Sequence, residues 1–264
     1  MGLIVSLMAG VFELVKRPTA VLPALVAALF QRGLFLLAWE PLFSLLFELG
    51  PGAGMPRGSL LELPFLLLVR FPNEISVAVL LAFFSLAAGN WLVFSYSYLF
   101  RKEKPLGTLK AMAAALKDFK QILGLTVFLF ALGVVFLAFT LVLALALKPL
   151  AEIGAILLLA WLVLGYYAYL KLSFTPIAMP FEGVKLREAL KRSWRFTRGK
   201  IPALLLLGIV LSLVTSLLSN AGSLASDFVE EETASFLALA FFLALGTAYA
   251  NIVLVKYWLV GREK

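Results

Sequence analysis

The sequence contains neither cysteine nor histidine. Their absence removes disulfides, thiolate nucleophiles, Cys/His metal centres and any Ser-His-Asp or Cys-His catalytic relay. No P-loop, dinucleotide fingerprint, HExxH or GxSxG motif occurs either. Paired carboxylates are missing from the apolar stretches, which argues against a proton-coupled pump or an intramembrane aspartyl protease. These gaps predict a non-enzymatic protein with no catalytic residues, no cofactor and no bound metal. A secretory signal is not expected, because residues 1–15 lack a basic leading segment.

Apolar side chains are what the chain has in plenty. Hydrophobic residues make up 62% of it and the mean hydropathy is +1.01, against roughly 45–50% apolar in an ordinary soluble domain. A soluble fold would leave much of that surface in water, whereas a bilayer removes the problem. Lys and Arg number 23 against 15 acids. In a soluble protein this surplus would suggest nucleic acid. Here it matches the accumulation of Lys and Arg in short cytoplasmic loops, so no nucleic-acid partner is expected.

A helix needs about 20 mostly apolar residues to cross the hydrocarbon core. Six stretches qualify, near 19–40, 75–100, 122–147, 152–176, 201–220 and 234–258. Backbone groups in lipid must be bonded within their own segment, so all six are read as helices. With the N-terminus inside, the segments 1–18, 101–121, 177–200 and 256–264 become cytoplasmic and hold 18 of the 23 basic residues. Arg57, Arg70 and Lys148 fall outside, while Asp227, Glu230, Glu231 and Glu232 cluster in the last outer loop. The expectation is a multi-pass protein of the cell membrane with both termini cytoplasmic.

A short amphipathic helix is predicted before spans one, three and five. Along Leu186 to Arg198, steps of about 100° per residue gather Leu186, Ala189, Leu190, Ser193, Trp194, Phe196 and Thr197 opposite a charged face, with Gly199 as a stop. Between Leu109 and Leu123, Leu109, Met112, Leu116, Phe119 and Leu123 oppose Lys110, Lys117, Asp118 and Gln121. From Leu3 to Arg17, Ser6, Glu13, Lys16 and Arg17 share one arc, and Leu3, Leu7, Val11, Phe12 and Leu14 the other. Each can lie in the cytoplasmic interface. The fold class is therefore an all-α integral membrane protein, one transmembrane domain over 1–264. It has six transmembrane helices, three cytoplasmic interfacial amphipathic helices and a pseudo-threefold internal repeat of about 1–104, 105–180 and 181–264. Asn90, Tyr96 and Arg101 recur at identical spacing as Asn251, Tyr257 and Arg262. Residues 41–72 form an extra outer insertion of short apolar pieces, one opened by the capping box Ser59-Leu60-Leu61-Glu62.

The stretch Pro176, Pro180, Glu182-Gly183 and Ala189-Leu190-Lys191-Arg192-Ser193-Trp194-Arg195-Phe196-Thr197-Arg198-Gly199 carries a family resemblance. It resembles the recurrent segment of six-span prokaryotic membrane families, which include the membrane domain of some glycerophosphodiester phosphodiesterases. The resemblance covers about 24 residues and the overall layout. It implies the fold and an auxiliary membrane role without catalysis, because the phosphodiesterase domain of those relatives is absent and its chemistry requires histidine.

Few polar side chains remain as sites. Arg32 sits past the middle of span one, about 12 Å from its outer end by helical rise. A charge there faces a bundle interior or watery cavity, or snorkels outward beside Gln31, with Glu40 two turns on. Asn90 and Asn251 lie at matching depth, either as interhelical glue or lining a cavity with Arg32. Ala240, Ala244 and Ala248 form a stripe suited to close helix approach. Lys185, Arg187, Lys191, Arg192, Arg195, Arg198 and Lys200 are candidate contacts to anionic lipid of the cytoplasmic leaflet. The expected function is a membrane scaffold or accessory subunit, with membrane lipids and a protein partner or second copy as its contacts. The alternative is a transporter or channel for a small solute or lipid head group, using Arg32, Gln31, Asn90 and Asn251.

Overall fold

The computed structural model describes residues 2–38, 71–101, 106–147, 151–229 and 231–262. Most of the expected insertion 41–72 lies outside the described residues, as do Glu40, Arg57, Arg70, Lys102, Lys104, Lys148, Glu230 and Lys264. Among the described residues there is no strand. The helices are α1 (Gly2–Lys16), α2 (Leu22–Leu37, entered through a 3-10 turn Pro18–Val21), α3 (Pro72–Leu99), α4 (Thr108–Lys117) and α5 (Phe119–Leu147). After them come α6 (Ala151–Leu172), α7 (Thr175–Glu182), α8 (Leu186–Phe196), α9 (Ile201–Asp227) and α10 (Glu232–Arg262).

Among the described residues six stretches are long and apolar enough to cross a membrane: Pro18–Leu37, Pro72–Leu99, Phe119–Ala144, Gly154–Glu182, Ile201–Asp227 and Glu232–Arg262. The chain is thus a multi-pass, all-α membrane protein. Four hydroxyls within these helices turn back on their own backbone. Ser95, Ser97, Thr140 and Thr215 donate to the carbonyls of Trp91, Val93, Phe136 and Leu211, each four residues earlier. This satisfies a hydroxyl without any partner from another helix.

Helix ends depart from the hydrophobic runs for local reasons. Span five was expected to stop near 220, yet α9 runs on to Asp227, where Gly222 is buried against Phe242 and Leu239 of α10. Span four bends at Ser173–Phe174 and resumes as α7, with Pro176 in its first turn, where its missing N–H costs nothing. Gly183, at φ 63°, then ends α7 in the left-handed region that glycine adopts freely. The segment 109–123 was expected to be a single amphipathic helix. Instead it turns at Asp118, leaving Leu109, Met112 and Leu116 on α4 and Phe119 and Leu123 on α5.

The contacts divide into two compact units, one of Met1–Phe30, Ala88–Leu125 and Tyr169–Lys264, the other of Gln31–Ala87 and Thr126–Ala168. Rings hold the second unit together. Phe83 meets Phe130 edge-on, and Trp161 stacks on Phe136 while its indole N–H donates to Thr140 at 2.9 Å. Gly165 leaves the room that the Phe136 ring fills.

In the first unit, α10 is the axis, with Ala240, Ala244 and Ala248 fully buried. Its Gly246 lies against Thr215 of α9. Helix α1 lies on α10, where Tyr249 donates to the Leu7 carbonyl at 3.3 Å and Lys256 meets Glu13 at 2.6 Å. Each of the three short helices α1, α4 and α8 buries two small residues four apart: Ser6 and Gly10, Ala111 and Ala115, Ala189 and Ser193.

At Gly10 an added Cβ would lie 2.5 Å from Val253 and 2.9 Å from Tyr249. Gly10→Val is therefore expected to lower unfolding stability in detergent by about 1–3 kcal/mol through overpacking. Gly124→Ala, where nothing lies within 4 Å of the added atom, should leave the midpoint unchanged or raise it. Equal midpoints for the two variants would show that α1 does not rely on this close approach.

Candidate functional site: a basic helical hairpin

Helices α7 and α8 form a hairpin around Gly183, tied at both ends. At its closed end the Glu182 carboxylate is buried and pairs with Arg192 of α8 and, at 2.9 Å, with Arg262 at the end of α10. Arg192 is also held by Glu188 one turn earlier. At the open end Ser193 donates to the Lys171 carbonyl at 2.6 Å and accepts the Phe174 N–H at 3.3 Å. Thr197 bonds back to the Ser193 carbonyl. Between these ties the rings of Phe174, Phe196, Tyr257 and Trp258 form one cluster, with Phe196 and Trp258 centroids 4.4 Å apart.

This packing fixes which way α8 faces. Ala189, Ser193 and Thr197 are buried, so the opposite side carries Lys185, Arg187, Lys191, Arg195 and Arg198, all exposed. Among the described residues none of these five makes an ion pair. An open basin of about 660 Å³ is lined by Lys185, Arg187, Glu188, Lys191, Arg192 and Arg195. On one flank of the basic face, half-exposed Trp194 carries the Lys171 ammonium 5.4 Å from its ring.

Two of the seven cations expected to meet lipid are also engaged within the protein. Arg192 is half-buried and ion-paired, and Lys200 folds back so that its ammonium sits 3.8 Å from the Phe196 ring centroid and 3.4 Å from the Gly261 carbonyl. Charge alone cannot separate such residues from their free neighbours.

The other candidates fall elsewhere. Gln31 and Arg32 belong to the second unit, where the Gln31 amide donates to the Ser85 carbonyl at 3.4 Å and Arg32 is half-buried. Asn90 and Asn251 belong to the first unit. Asn90 is buried on α3, while Asn251 is half-buried and donates to Thr247 of its own helix at 2.8 Å. Sequence patterning missed the acids on the basic side. Glu13 takes Lys256 and Arg17, Asp118 takes the Tyr98 hydroxyl, and Glu182 takes two arginines. Their signal was position: Glu13 lies within α1, while Asp118 and Glu182 stand next to α4 and α8, each near Lys or Arg.

Glu182→Gln would leave two guanidinium groups beside a neutral amide. The expected cost is about 1–3 kcal/mol, below that of a fully buried pair because both arginines reach water. Amide exchange across 186–196 should quicken. Unchanged exchange would mean that the aromatic cluster alone holds the hairpin.

Compared with protein-family models, with curated proteins and with solved structures, the chain matches none.

Proposed function

We propose that this chain is a membrane scaffold or accessory subunit whose short helices form a cytoplasmic collar that engages anionic lipid. The observation that carries this reading is the outward chemistry of the collar. α8 turns five exposed cations away from the bundle. α1 turns out Ile4, Val5, Met8, Val11, Phe12 and Val15, with Ser6 and Gly10 inward. An apolar face of that kind suits the acyl boundary, and a basic face suits headgroups, at about 1 kcal/mol per Lys or Arg.

The threefold repeat belongs to the same proposal. Each short helix presents small residues inward at i and i+4. The spacing that relates Asn90 to Asn251 also relates Leu92 to Val253, Phe94 to Val255, Tyr96 to Tyr257 and Ser97 to Trp258, and all eight of these are buried. The exposed basic residues of α8 and the charge asymmetry of the whole chain support cytoplasmic termini.

The native absence of cysteine makes orientation simple to test. Lys191→Cys should react with an impermeant maleimide only from the cytoplasmic side, and Ser226→Cys only from outside. In mild detergent the protein should retain anionic lipids over zwitterionic ones, an enrichment lost when Lys185, Arg187, Lys191 and Arg195 are changed to Gln. Reversed labelling would sink the topology. Solute uptake into proteoliposomes that depends on Arg32 would replace the scaffold with a transporter.

A further inference from the structure

We infer that α8 carries a discrete site for a lipid headgroup bearing phosphomonoesters. This deepens the lipid-engaging reading above and rests on it. The basin on α8 gathers five cations, Lys185, Arg187, Lys191, Arg192 and Arg195, against the carboxylates of Glu188 and, through Arg192, Glu182, a surplus of three. A headgroup with one phosphodiester carries one negative charge and leaves most of that surplus unmatched. A phosphomonoester brings close to two charges and three acceptor oxygens, so a headgroup with one or two of them balances the basin.

The arginines give the site shape as well as charge. Arg192 is held in place by Glu182 and Glu188, and a guanidinium so fixed offers its remaining N–H groups in a set direction. Arg187 and Arg195, free of ion pairs among the described residues, can close on phosphate oxygens as planar forks.

The flank of α8 favours a lipid over a soluble anion. Rotating from the buried Ala189–Ser193 side toward the cations passes half-buried Leu190 and then Trp194, 49% exposed. An indole at the edge of a basic face sits at the headgroup level of a bilayer, which turns the neighbouring cations toward lipid phosphates. The other two short helices lack this arrangement. The exposed side of α4 interleaves Lys110 and Lys117 with Leu109 and Leu116, and that of α1 is apolar.

The test uses the full chain in mild detergent and four probes: dioctanoyl phosphatidylinositol bisphosphate, dioctanoyl phosphatidylglycerol, free inositol trisphosphate and polyglutamate. The bisphosphorylated lipid should bind at least about tenfold tighter than phosphatidylglycerol. Lys191→Gln with Arg195→Gln should weaken it by about tenfold or more, given the surface cation contribution. Lys110→Gln with Lys117→Gln, an equal loss of charge on α4, should leave it unchanged. Arg187→Gln serves as a second variant if the first pair alters the elution profile. Equal affinity for the two lipids would overturn the discrete site while leaving diffuse attraction to anionic lipid intact. No affinity for either lipid would overturn both readings. Free inositol trisphosphate or polyglutamate binding as tightly as the bisphosphorylated lipid would assign the face to a soluble partner.

Discussion

The distance at which small side chains let two helices meet governs this first unit. In lipid there is no hydrophobic drive to push helices together, so contact area and close approach must supply the attraction. Gly10 permits α1 to rest on Val253 and Tyr249 at a separation that would exclude even a methyl group. Ala111 with Ala115, and Ala189 with Ser193, are the corresponding buried pairs on α4 and α8. Once these faces are inward, the outward chemistry of each short helix is settled by default. The exposed apolar side of α1 and the exposed basic side of α8 are therefore consequences of where the smallest residues fall.

Carboxylates provide the second constraint. Glu13 within α1, Asp118 beside α4 and Glu182 beside α8 each take a partner on another element. A carboxylate partly removed from water costs free energy unless it is paired, and removing its partner costs more than the pair contributes. Glu182 is the most consequential of the three, because it ties Arg192 to Arg262 through one buried carboxylate while the remaining cations of α8 face out. One acid thus sorts a run of basic residues into structural and accessible members.

The spans were legible because lipid imposes a blunt rule: about 20 apolar residues in a row are helical and cross. Six were expected, and six long apolar helices are present among the described residues. Their ends were less legible, since hydropathy records polarity while helices continue wherever packing supports them, as Gly222 does in α9. The short helices were visible by periodicity, but sorting by hydrophobicity placed Leu109 and Leu116 on the face of interest when Ala111 and Ala115 are the buried ones. Of the candidate site, the basic residues of α8 could be read directly from the chain. Which of them remain free could not, because that depends on the Gly183 turn bringing Glu182 to Arg192 and on Lys200 finding the Phe196 ring.

The contact between α1 and α10 has a consequence for how the protein is made. Tyr249 reaches back 242 positions to the Leu7 carbonyl, and Lys256 reaches 243 positions to Glu13. At about 5–20 residues per second, α1 leaves the ribosome some tens of seconds before its partner exists. During that interval it must wait where Ile4, Met8, Phe12 and Val15 are out of water, and the membrane surface is the nearest such place. The bundle then closes late, when the last helix arrives and the first one finds it. An interruption that spared every helix but delayed the final one would leave α1 without the face of α10 on which Leu7 and Glu13 find their partners.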